Sequence, residues 1–118
     1  IIVPEIDADR PITQSKAGIA YLRQQLGLTG LLMSDDISMN ALSGDVVSRG
    51  QAALAAGCDL VLHCNGDAGE MEAIAGGLGR MGPAAARRAD VALARRRTTR
   101  DIDIRALEAE FEALMQGA

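Results

Sequence analysis

The sequence predicts a parallel α/β fold, and three observations carry that reading. Short apolar runs alternate with helical patterns along the 118 residues. The two clearest runs, Leu28 to Met33 and Asp59 to His63, are apolar on successive positions, as strands buried on both faces are. Apolar residues make up 48% of the chain but aromatics only 2%, so Ala, Leu, Ile, Val and Met must build the core. That composition suits helices laid on a buried sheet. The open doubly wound sheet and the closed (β/α) barrel both follow this order of elements.

The elements follow in order. Ile1, Ile2 and Val3 read as the end of a buried strand, and with no Met before them further residues upstream are expected. Pro4 to Pro11 is a polar connector. Thr13 or Ser15 can cap a helix that reaches Leu26, with Ile19, Leu22 and Leu26 on one stripe and Gly27 ending it in the left-handed region. The strand Leu28 to Met33 comes next, then Ser34-Asp35-Asp36. After a turn at Ser43-Gly44-Asp45, a helix from Val46 to Ala56 stops at Gly57. The second strand ends in the loop Asn65-Gly66-Asp67, and helical patterns cover about 68–78, 83–97 and 104–115. Pro83 suits a first helical turn, where its missing N–H costs nothing.

Composition excludes several functions. Twelve basic against 16 acidic residues leave a net charge of −4, the wrong sign for a polyanion binder. Two aromatics and no Trp cannot make a base-stacking platform. The cations of the stretch Arg80, Arg87, Arg88, Arg95, Arg96, Arg97, Arg100 and Arg105 are those that helix ends attract. No apolar run approaches the roughly 20 residues that cross a bilayer, and no signal sequence is recognisable. Cys58 and Cys64 fall at opposite ends of the second strand, about 20 Å apart, too far to pair. With His63 between them they still lack the four ligands of a zinc site. A cytoplasmic protein without metal or cofactor is the simplest expectation.

In parallel α/β folds the chemistry gathers at the carboxyl ends of the strands. Side chains alternate along a strand, so Leu31, Met33 and Asp35 share one face while Leu32, Ser34 and Asp36 share the other. Only one of the two aspartates can face a central pocket. An Asp-Asp pair at such a junction has three readings: a turn and helix cap, a Mg²⁺ site, or a nucleophile with its support. His63 reads as a near-core histidine with a partner, or else as the rim of a pocket. Gly76, Gly77 and Gly79 follow a helical pattern, so they form no dinucleotide fingerprint.

The longer string decides among these. Ile2-Val3-Pro4, Ile6-Asp7, Leu22-Arg23, Leu26-Gly27 and above all Gly30-Leu31-Leu32-Met33-Ser34-Asp35-Asp36-Ile37-Ser38-Met39 resemble the family 3 glycoside hydrolases. The likeness is to the bacterial β-N-acetylhexosaminidases of peptidoglycan recycling, and Ala55-Ala56-Gly57-Cys58-Asp59-Leu60-Val61-Leu62 with Cys64-Asn65 extends it in register. It covers residues 1–97, leaving 98–118 as a C-terminal helix.

The resemblance implies the last part of a (β/α)8 barrel: the end of strand six, then strands seven and eight with their helices. It makes Asp35 the nucleophile of a retaining enzyme that removes terminal β-N-acetylglucosamine from muropeptides through a glycosyl-aspartate. Asp36 becomes a supporting residue, and Met39 lines the sugar pocket or simply packs. The acid/base of that family is a His on an earlier loop, not the position of His63, so these residues alone are expected to be inactive. A truncated remnant and a Mg²⁺-binding open α/β module are the alternatives. A piece of barrel also leaves raw sheet edges, so self-association is expected of the isolated chain.

Overall fold

A computed structural model describes residues 1–99 and 101–117; Arg100, counted above in the basic stretch, and Ala118 lie outside the described residues. The chain forms mixed helix and strand: α1 (Lys16–Gln24), β1 (Met33–Asp36), α2 (Val46–Ala56), β2 (Leu60–Leu62), α3 (Ala68–Gly77), α4 (Pro83–Ala94) and α5 (Ile104–Gln116). A single 3-10 turn, Ile12–Gln14, precedes α1.

Local chemistry explains the helix boundaries. Ser15 caps α1 by accepting from the Gly18 N–H, Asp45 caps α2 through Ser48, Asp67 caps α3 through Glu70, and Asp103 caps α5 through Ala106. Pro83 opens α4 at a position that needs no N–H. Gly57 ends α2 at φ 118°, a conformation that side chains with a Cβ rarely adopt.

β1 and β2 pair in parallel with α2 as the crossover between them. The core lies between this pair and the helices: Ile19, Ala53, Ala56 and Cys58 are buried, and Leu22, Leu32 and Val61 pack on them. Small residues let α2 and α3 close up. A Cβ on Gly77 would stand 2.4 Å from Val47 Cγ1, and one on Gly50 3.0 Å from Leu78 Cδ2.

Two expectations need correction. The first strand lies at Met33–Asp36, not at Leu28 to Met33, because the Leu32 N–H goes to the Asp59 carboxylate and leaves the ladder to begin one residue later. Ile1 to Val3 forms no strand among the described residues; Val3 makes one antiparallel bridge to Asp7 instead. That segment is held by the connector itself, through Asp7, whose carboxylate accepts from Ser15 Oγ at 2.6 Å and from the N–H groups of Asp9 and Arg10.

Candidate active site

The Ser34-Asp35-Asp36 string is the strand itself rather than the loop after it. Met33 pairs with Leu60 and Asp36 with Leu62, so two residues of β1 stand opposite one of β2. This is a β-bulge at Ser34 and Asp35. Ser34, 6% exposed, fills the gap with its hydroxyl: Oγ accepts from the Leu62 N–H at 3.1 Å and donates to the Asp35 carbonyl at 2.7 Å. The pairing resumes where the Ile37 N–H donates to the Leu62 carbonyl at 2.8 Å.

The two aspartates differ in what surrounds them. Asp35 is exposed; its Oδ1 accepts from the Asp36 N–H at 2.9 Å, and Oδ2 makes no hydrogen bond among the described residues. Asp36 is half-buried and engaged on both oxygens. Its Oδ1 accepts from the Ser38 N–H at 3.0 Å and the Cys64 N–H at 3.2 Å, and its Oδ2 from Ser38 Oγ at 2.6 Å. The Ser38 hydroxyl and N–H hold the Asp36 carboxyl below the usual carboxylate range, helped by the Cys64 N–H and by His63 nearby. An oxygen with free lone pairs can attack or accept; a carboxylate with both oxygens engaged is a strut.

The turn beyond is anchored from within. Ile37 is fully buried (0% exposed), and Arg49 of α2 reaches back so that Nη1 donates to the carbonyls of Ile37, Ser38 and Met39 at 3.2–3.3 Å. Met39 stands at the outer edge of this turn, 46% exposed. At the end of β2 the His63 side chain is 8% exposed, with Nε2 at 2.8 Å from Glu70 Oε2. Its Nδ1 is buried with no hydrogen-bond partner among the described residues. Asn65 Nδ2 donates to the same Glu70 oxygen, and these contacts keep the Glu70 carboxyl below its ordinary value. Sequence reasoning missed Ser34, Arg49 and Glu70. Each acts through a contact 7 to 28 positions away that no local pattern reports.

A second polar cluster lies at the other end of the strands. Asp59, its side chain 3% exposed, receives Arg23 Nη2 at 2.8 Å, Arg88 Nε at 2.8 Å, Arg88 Nη2 and the Leu32 N–H. Burial pushes its carboxyl up, but Arg88, the Leu32 N–H and Arg23 outweigh that and bring it down to about 2. Arg23 also donates to the carbonyls of Leu28 and Gly30, so one cluster joins α1, the approach to β1, β2 and α4. A cleft of about 460 Å³ beside it is lined by Leu54, Cys58, Asp59 and Leu60. It therefore sits at the amino end of β2, away from Asp35. Cys58 and Cys64 are free thiols, and among the described residues no three His, Cys, Asp or Glu side chains converge as metal ligands. No described helix is long and apolar enough to cross a membrane.

Comparison with known proteins gives this geometry a context. The Glycosyl hydrolase family 3 N terminal domain matches residues 1–96. A Beta-hexosaminidase of Bordetella avium (strain 197N) is 47% identical over 68 residues, which is 55% of this chain and 19% of the relative. A Beta-hexosaminidase of Methylobacillus flagellatus is 46% identical over 68 residues, with the same shares of 55% and 19%. One from Vibrio cholerae serotype O1 is 40% identical over 72 residues, 55% of this chain and 20% of the relative. The chain thus spans about a fifth of the length of the curated relatives it matches. With the family profile running through nearly all of the sheet and its helices, the chain belongs to glycosyl hydrolase family 3, within its N-terminal domain.

Proposed function

We propose that these residues form the last part of a (β/α)8 catalytic barrel, with β1 and β2 as its seventh and eighth strands. Residues 1–97 belong to that barrel and 98–118 to a C-terminal helical extension. In the complete enzyme they serve a cytoplasmic retaining glycosidase that removes terminal β-N-acetylglucosamine from peptidoglycan-derived muropeptides. The relatives named beta-hexosaminidase support the sugar class, and the two free thiols suit a reducing compartment.

One observation carries the reading: at the carboxyl end of a parallel strand, Asp35 has one oxygen tied and the other open, while Asp36 is fully engaged. Catalytic groups of parallel α/β folds occupy that end. In the first step Asp35 Oδ2 forms a bond to the sugar's C1, and the bond from C1 to the leaving oxygen breaks. A general acid outside these residues protonates that oxygen. In the second step water attacks C1 while that same group, now a base, takes its proton; the ester bond from C1 to Asp35 breaks, and Asp35 returns as a carboxylate. The Asp36 N–H on Oδ1 fixes the rotation of the attacking group, and Met39 lines the sugar site. Neither step uses a metal or cofactor.

In the complete polypeptide, Asp35→Asn should abolish release of the chromophore from an aryl N-acetyl-β-glucosaminide, and the unmutated protein should release it. Undiminished turnover by the Asp35 variant would remove this aspartate from the reaction.

A further inference from the structure

We propose that Ser34 is a positioning residue: its hydroxyl holds open the β-bulge that presents Asp35, and this role rests on the reading of Asp35 as the nucleophile. Bulges in parallel pairs are rare, and they gather next to active sites because they re-aim a side chain. Here Ser34 Oγ sits inside the bulge and accepts from the Leu62 N–H of the facing strand at 3.1 Å. The same hydroxyl donates at 2.7 Å to the carbonyl of Asp35, so it grips the backbone that carries the carboxylate. Ser34 is 6% exposed, which leaves little room for a water to take its place.

Without the hydroxyl the Leu62 N–H loses this acceptor and the Asp35 carbonyl its donor, and the bulge is free to relax towards a regular register. A one-residue slip of a strand turns every side chain to the opposite face. Asp35 would then leave the open side, and Asp36 would lose its place against the Cys64 N–H, 3.2 Å away now. A small polar side chain at position 34 is thus tied to the aim of the carboxylate beside it.

Threonine and valine have nearly the same shape and differ in the hydroxyl, so Ser34→Thr and Ser34→Val in the complete enzyme separate the bond from the bulk. Rates are taken per active site, counted by titration, so that a loss of folded protein does not count. Ser34→Val should lower kcat about 100-fold with KM held within about threefold, and Ser34→Thr should keep kcat within about threefold, since misplacing a reacting group costs turnover rather than binding. Equal kcat in the two variants, or a Val variant altered only in KM, would overturn the role of Ser34 and leave the reading of Asp35 standing. No turnover by the unmutated enzyme would overturn both. Ser34→Val as active as wild type beside an inactive Asp35→Asn would overturn this inference alone.

Discussion

Asp35 and Asp36 are neighbours in sequence and opposites in their surroundings. One keeps an oxygen free on the open side of the strand; the other accepts three hydrogen bonds that tie the βα turn to the end of β2. Equal substitutions should therefore have unequal effects. Asp35→Asn should lower kcat/KM by roughly ten-thousand-fold, as removal of a nucleophile does, while leaving thermal unfolding unchanged. Asp36→Asn should lower the melting temperature and cost only about tenfold in kcat/KM, through a looser turn. Steady-state kinetics and calorimetry on the two variants check both. Strand alternation predicts Asp35 on the side of Met33; both residues are exposed, with the bulge between Met33 and Asp36. The hydroxyl of Ser34 in the bulge was not legible, because a bulge exists only relative to the partner strand. Arg49 was equally silent: its three carbonyl acceptors are 10 to 12 residues earlier, beyond any helical spacing.

Among the elements, the helices were the most legible and the first strand the least. Caps and stop signals are local chemistry, so α2 lies where Asp45 and Gly57 put it. A strand is defined by its ladder, and Asp59 took the Leu32 N–H that would have begun β1 sooner. An aspartate opening an apolar run was the one hint of that cluster, since a buried charge demands partners. The sequence predicts Arg88 as an ordinary helix-end cation, whereas it lies inside α4 and pairs with Asp59. Asp59→Ala strands two arginines beside the core and should cost roughly 3 kcal/mol in denaturant unfolding. Because the Asp59 carboxyl is held at about 2 against an ordinary 3.8, its contribution is complete above that ordinary value and is lost as pH falls towards 2. Acid titration of wild type and Asp59→Asn should show the two stabilities converging over that window. Gly57→Ala should also destabilise, by about 1–2 kcal/mol, for φ is 118° and the new Cβ would meet Ile19 Cγ2 at 2.9 Å.

At the scale of the molecule, the chain extends over 53 × 32 × 32 Å with a radius of gyration of 19.2 Å. A compact chain of this length would have about 13–14 Å. Apolar side chains face outward at both ends: Ile1 is 94% exposed, and Ile104, Leu107, Phe111 and Leu114 form one exposed stripe along α5. An amphipathic helix without a covered face and a sheet of two strands predict self-association. Light scattering on the purified chain should give a mass above 12.3 kDa that grows with concentration; a monomer with a sharp cooperative melt would contradict this. The alternation of strand and helix, legible in the sequence, recurs as a parallel pair joined by α2. A closed barrel is an expectation that only the resemblance supplies, since apolar faces do not say what covers them. The most direct test of the account is to trap the complete enzyme with a slow fluorinated N-acetylglucosaminide and map the adduct by peptide mass spectrometry. The account predicts a sugar esterified to Asp35, and an adduct on any other residue would contradict it.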